Sequence, residues 1–439
     1  LECLCTAAEI LAICMRLSLN AVKSNGRELT DTIYLIILQG ANQLLPLFVM
    51  PFLMIKLGAE GYGFVGFSLS VIQYLVLIVD FGFNLSATKR IAQANDDVDK
   101  CNEVFWNVVA AKSLLLVASS VLLLVLMLTV PTFQLYSQAI WATWPMLLGS
   151  SFTFMWFFQG KGYIRFFSVM NTLSKLALLP LIFVFVKTPD DCSLAAFLQA
   201  VVFVGTAIIS NIYIYCKRLV QWHTPSWKGI KEELAESFPL FLSTASTSVY
   251  TQLIVIVLGF YCTTSEVGKY ASADRIMRAL CFLLYVPLNQ VFFPKISALA
   301  VKGKDLAAGL FKQVMLMVIL VMCCVSAFLF FGGVYLPNLL GHDYAGIDVY
   351  LKILAIAPLA IGFGGVFGQM GLVALGNKYT SKKFRDVYFI AALTAIIMMF
   401  VLTPWLGAIG ACITVSATEL LVAVLMAYNF KKNIGLCLS

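Results

Sequence analysis

The sequence predicts an all-α, polytopic membrane protein with twelve transmembrane helices in two six-helix lobes. Three observations carry that expectation. Of the 439 residues, 61% are hydrophobic and only 12% are charged, whereas an ordinary globular chain has about a quarter of its residues charged. The apolar residues come in long runs, and twelve windows reach the roughly 20 residues that a bilayer crossing requires. With both termini cytoplasmic, the loops on the inner side hold 22 Lys and Arg, while the opposite loops hold only Lys56, Lys187 and Lys269. That asymmetry orients the chain.

In chain order, residues 1–32 form a cytoplasmic leader. Its opening stretch LECLCTAAEILAIC contains Glu2 and Glu9 and has no basic start, so it is a poor signal peptide. It is also too short to span; translation from Met15 would leave a short basic leader with Arg16, Lys23 and Arg27. The first lobe, 33–216, takes the windows 33–55, 62–83, 105–129, 138–158, 166–187 and 194–216. A cytoplasmic linker, 217–237, contains Pro225 and then a short amphipathic, charged stretch. The second lobe, 238–428, takes the windows 238–260, 270–297, 311–331, 351–375, 387–404 and 408–428. The last two meet at Pro404, Trp405, Leu406 and Gly407, which leaves room only for a helical hairpin turn. Residues 429–439 are a cytoplasmic tail.

Six is an even number of crossings, so both lobes enter from the cytoplasm and would be parallel repeats. At an offset of 206, the stretch Glu60 to Gly66 matches Glu266 to Ser272, each opening the second span of its half.

Composition also excludes several classes. The net charge of +8 is scattered over short loops, with no basic run suited to nucleic acid. The twelve cysteines include no CxxC pair, and His223 and His342 lie far apart, which argues against a metal or Cys/His centre. GLVALGNK (371–378) lacks the Gly-Lys-Ser/Thr order and the preceding strand of a phosphate loop, so no nucleotide cofactor is expected. The longest loops between spans have about 20 residues, too few for a soluble catalytic domain.

Polar residues inside the spans are the candidate site, because one charge at a bilayer centre costs roughly 2.5–3.5 kcal/mol on insertion scales. In the eighth span, Asp274, Arg278, Cys281, Tyr285 and Asn289 fall within about 80° of one another on a helix. The first span offers Gln39, Asn42 and Gln43 on a narrow face, and the seventh offers Ser243, Thr244, Thr247 and Thr251. A wet cavity between the lobes would account for these faces. Asp274 and Arg278 stand at i, i+4 with the acid first, the favourable order for an intrahelical pair, and an Asp near a helix N-terminus suits the dipole. Arg275, about 100° away, is better placed for an anion, which guanidinium binds bidentately. Lys112 and Lys175, near the cytoplasmic ends of the third and fifth spans, either snorkel or add to a positive cavity. Among the acids, Asp80 ends the second span, and Glu419 lies deepest, in the twelfth. A desolvated carboxyl there could hold and release a proton, or donate a hydrogen bond to a neighbouring helix. Ala360, Gly364 and Gly368 have the spacing of a helix-packing face.

With these residues in view, the chain resembles the O-antigen flippases of the Wzx type, within the superfamily that includes the MATE drug exporters. The resemblance rests on residues 32–92, including DFGFNLSATKRIA, on 156–191, and on 265–299, including GKYASADRIMRAL. It implies a MATE-like, two-lobed protein of a bacterial inner membrane, with no cofactor. The implied substrate is an undecaprenyl-diphosphate-linked oligosaccharide, turned from the cytoplasmic to the periplasmic leaflet by alternating access with proton or sodium coupling. An O-antigen polymerase and a chain-length regulator are implied partners. Family patterns point to Asp80, Asn84 and Arg90 after the second span, to Lys175, to Arg275 and Arg278, and to Glu419. Such a protein is a carrier and not an enzyme. The alternatives are a drug or metabolite exporter on the same fold, which would favour acids and aromatics where bases dominate here, and an O-antigen polymerase or ligase. The latter would need a large external loop, whereas the largest, about 332–350, is short.

Overall fold

A computed structural model describes residues 26–94 and 97–434. The leader up to residue 25, Met15 included, and the tail beyond 434 lie outside the described residues. Every regular element is a helix, and the described residues contain no strand. Among the described residues, eight helices are long and apolar enough to cross a membrane, or nine if the bent pair Trp227–Ser246 and Thr251–Tyr261 counts as one span. The chain is a multi-pass, all-helical membrane protein.

Twelve windows and eight or nine long helices differ for identifiable reasons. The first two windows lie in one helical stretch, Gly26–Asp80, broken at Gly58 by a left-handed residue (φ 65°). The last two lie in Lys378–Ile434, broken at Gly407 (φ 56°). A Cβ on Gly410 would collide with the Leu402 carbonyl. Eight residues of straight helix would separate these by about 12 Å, so the chain does fold back at Pro404–Gly407 as expected. The fourth window, expected as one span over 138–158, is instead three short helices, Ser137–Thr143, Pro145–Ser151 and Met155–Gly160. Pro145 removes a helix donor, and Phe154 is left-handed (φ 50°), so no unbroken helix can pass.

The eighth helix begins six residues earlier than its window, at Thr264. Thr263 and Glu266 form a reciprocal cap, with the Thr263 N–H donating to Glu266 Oε2 (3.1 Å) and the Glu266 N–H to Thr263 Oγ1 (3.3 Å). Asp97 caps Val98–Thr129 by accepting the Lys100 N–H. That backbone bond, followed by the Lys100 ammonium, holds the Asp97 carboxyl below its ordinary range.

The chain forms two compact units: Ile37–Ala271, and Ser272 onward together with the described residues up to Ile36. The division falls within the Thr264–Lys302 helix, beyond the 217–237 linker. In the first unit an aromatic core gathers around Phe105, whose ring lies 5.1 Å from Phe154, 5.6 Å from Trp156 and 5.1 Å from Phe157. In the second, Phe311 stacks on Phe430 at 5.0 Å, beside Phe367 and Met426. The small-residue face of the tenth span packs there as expected: Gly364 lies against Val422 and Gly368 against Phe384 and Met426.

The stretches matched at an offset of 206 cross each other in the first unit. A Cβ on Gly63 would collide with the Thr264 carbonyl, and one on Gly268 with the Ala59 carbonyl. The contact is reciprocal, and the two glycines stand 205 residues apart, one less than the sequence match. Two backbones approach this closely only where both lack side chains.

Candidate functional site

Apart from Lys175, the charged residues nominated from sequence fall into two clusters, one in each unit. In the first, the helix ending at Asp80 turns through Phe81 (φ 40°) and Gly82 (φ 83°) into the helix Phe83–Gln93. Two left-handed residues in succession interrupt the helix there, and glycine accepts this at low cost. The turn presents Asp80 to Lys112, whose Nζ lies 2.8 Å from Asp80 Oδ1. The Asn84 amide donates to Asp80 Oδ2 at 3.4 Å. Lys112 is only 3% exposed, fourteen residues into a helix that starts at Val98. It is held by an acid and does not snorkel; its charge is matched locally.

On the helix that follows the turn, Arg90 Nη1 lies 2.7 Å from Glu233 Oε1 and 3.4 Å from Glu236 Oε2. Glu233, which sequence reasoning passed over as one of several linker charges, is 1% exposed. The signal was its position, three residues after Ile230 and four before Ser237, on the apolar side of the linker helix. Lys175 is half-buried in Ile164–Leu178.

The second cluster is built on the Thr264–Lys302 helix. Arg278 Nε donates to both carboxylate oxygens of Asp274, at 3.0 and 2.9 Å, so the i, i+4 pair forms as expected. The dipole argument for Asp274 fails, however. With the helix starting at Thr264, Asp274 stands about 15 Å from the terminus, and the dipole acts only within the first turn. What holds Asp274, itself 6% exposed, is Arg278. Glu419, 7% exposed, lies close enough to both to be electrostatically coupled to them.

The remaining polar face is also buried. Cys281 and Tyr285 are nearly inaccessible, and the Tyr285 hydroxyl donates to Gln369 Oε1 at 3.4 Å, reaching it across Gly365, where any Cβ would strike that hydroxyl. The Asn289 amide oxygen is buried without a hydrogen-bond partner in the structure. Arg275 is half-buried one residue from Asp274. The structure thus gathers Asp274, Arg278 and Glu419 around one point, with Tyr285 and Asn289 farther along the helix. The side chains of Gln39, Asn42 and Gln43, like those of Ser243 and Thr247, lie outside the described residues. Among the described residues, no three His, Cys, Asp or Glu side chains converge to hold a metal ion.

A family model described as "Polysaccharide biosynthesis protein" matches residues 29–300. A provisionally named O-antigen transporter of Escherichia coli (strain K12) is 34% identical over 404 residues, 92% of this chain and 96% of that protein. Among solved structures, the lipid II flippase MurJ in an inward closed conformation superposes with a TM-score of 0.71 at 15% identity, over 90% of this chain and 87% of that one. A multidrug resistance MATE family transporter in an inward-facing conformation superposes with a TM-score of 0.64 at 16% identity, over 89% of this chain and 98% of that one. At such identities the structural likeness establishes a shared fold.

Proposed function

The chain belongs to the polysaccharide biosynthesis protein family, and we propose that it is a flippase for undecaprenyl-diphosphate-linked O-antigen oligosaccharides. It would carry them from the cytoplasmic to the periplasmic leaflet of the bacterial inner membrane. The observation that carries this reading is the 34% identity to an O-antigen transporter along 92% of the chain. The buried polar face of the Thr264–Lys302 helix supports it. A lipid-linked sugar needs a hydrophilic route for its sugars and diphosphate, while its polyprenyl tail stays in lipid. Charged groups within spans mark such routes.

In this reading Arg278 and Arg275 receive the diphosphate, whose oxygens match the fork of a guanidinium. Asp274 holds Arg278 in position until the anion competes for it. Lys175 adds positive charge along the route, and Tyr285 and Asn289, with Gln39, Asn42 and Gln43 of the first span, offer hydrogen bonds to sugar hydroxyls. Glu419 exchanges a proton as the Asp274–Arg278 pair is engaged and released, which couples alternating access to a proton gradient. No bond in the substrate is made or broken, so the protein is a carrier. Six spans in each of two parallel repeats, with both termini cytoplasmic, complete the proposal. A polymerase and a chain-length regulator would receive the product.

The test is deletion of the gene. Lipid-linked O-units should accumulate on the cytoplasmic leaflet and reappear on the periplasmic side when the chain is restored. Normal delivery of O-units in the deletion strain would overturn the reading.

A further inference from the structure

The Arg90 ion pair is one rung of a longer contact. Gly82, Ser86 and Arg90 stand four residues apart, Gly82 capping the helix that carries the other two, and Glu233, Ser237 and Phe241 stand four apart along another helix. The structure pairs them in antiparallel order. A Cβ on Gly82 would lie 2.8 Å from the Phe241 nitrogen, Ser86 Oγ lies 2.6 Å from Ser237 Oγ, and Arg90 closes on Glu233. The Phe81 ring stacks on Phe241 at 4.7 Å, beyond the glycine rung. Four-residue steps keep each set on one helix face, so the contact is a continuous seam.

The linker leading to this seam is also fastened. Asn107 Oδ1 accepts the Ser226 N–H at 3.0 Å, Asn102 Oδ1 accepts the Gln221 N–H at 3.0 Å, and the Trp106 indole donates to the Gln221 carbonyl at 2.9 Å. Within the seam, Glu233 has a special status. No hydrogen bond from another described residue reaches either of its oxygens, so Arg90 is the group that neutralises it. An acid on the buried face of a helix is retained where a partner cation stands opposite.

We propose that Arg90 and Glu233 form the closing latch of this clasp, fastening the linker and the start of the seventh span to the turn after the second. Arg90 is then a positioning residue, and the substrate anion does not contact it. This goes beyond the flippase reading, and its physical arm does not depend on that reading.

The experiment reverses the pair. Arg90→Glu and Glu233→Arg should each lower membrane accumulation and thermal stability in detergent, and reduce surface O-antigen by about tenfold or more. The double variant R90E/E233R should restore stability and O-antigen together. If R90E/E233R regains stability but exports no O-antigen, a cation is needed at position 90 itself and the positioning role is refuted. If the double variant is no more stable than either single one, the latch is refuted. A chain that is not a flippase would still show the stability cycle, so failure of the functional reading and failure of the latch are told apart. Where the single reversals do not accumulate, Glu233→Gln serves instead. It should lower stability and O-antigen in proportion, and unchanged stability would overturn the latch.

Discussion

Removing Asp274 tests whether its pair with Arg278 is scaffold or machinery. Asp274→Ala takes both carboxylate oxygens, at 3.0 and 2.9 Å, away from a guanidinium whose side chain is 17% exposed. Breaking a buried pair by removing one partner costs about 3–5 kcal/mol, because a charge is left uncompensated. That is a factor of roughly a hundred or more in the folded population. Removing both takes away the stranded guanidinium but leaves Glu419 without its neighbouring cation, so Asp274→Ala/Arg278→Ala should recover part of the lost stability. Transport should behave differently: if Arg278 meets the diphosphate, both the single and the double variant stay inactive. The assay is thermal unfolding of purified protein in detergent, run beside surface O-antigen display in cells lacking the native gene. A double variant that recovers stability and also displays O-antigen would show the pair to be scaffold, and the substrate role of Arg278 would fall. A single variant as stable as the parent would refute the electrostatic argument.

Three further outcomes follow from the geometry. Asp80→Ala should destabilise more than Lys112→Met, since the first strands an ammonium that is 3% exposed while the second leaves a carboxylate that is 24% exposed and open to rehydration; the opposite order in thermal unfolding would contradict this. Gly268→Val should lower accumulation in the membrane, because its side chain collides with the Ala59 carbonyl, whereas Gly309→Val, where nothing lies within 4 Å, should not; equal levels of the two would disprove the close crossing. Glu419→Gln keeps the shape but removes the exchangeable proton, so substrate-dependent proton movement in vesicles should vanish, and unaltered coupling would end its proposed role.

Those expectations also mark what could be read from sequence. Local pairings were legible: Asp274 with Arg278 needed only a spacing of four and an acid placed first. The fold-back at Pro404–Gly407 was legible because two apolar runs met with no other connection possible. The span edges were less so, because lipid length is read from hydropathy and helix length from caps. The pair Thr263 and Glu266 carried the eighth helix six residues past its apolar window, and that shift removed the dipole argument for Asp274.

Partners that come from distant sequence were the part that could not be read. Lys112 and Asp80 are 32 residues apart, and Arg90 and Glu233 are 143 apart. A one-dimensional reading sees an isolated base in an apolar span and assigns it to an anion from outside. Burial makes the opposite outcome the common one, because a desolvated charge without a protein partner is too costly to maintain through every stage of folding. The physical rule that nominated Lys112 therefore also predicts an acid beside it, and Arg90, put forward by the family resemblance, has one as well. A basic residue in such a span becomes a candidate for substrate only after its acids have been located, and Arg278, held by Asp274 on the same helix with Glu419 nearby, is where that distinction has to be measured.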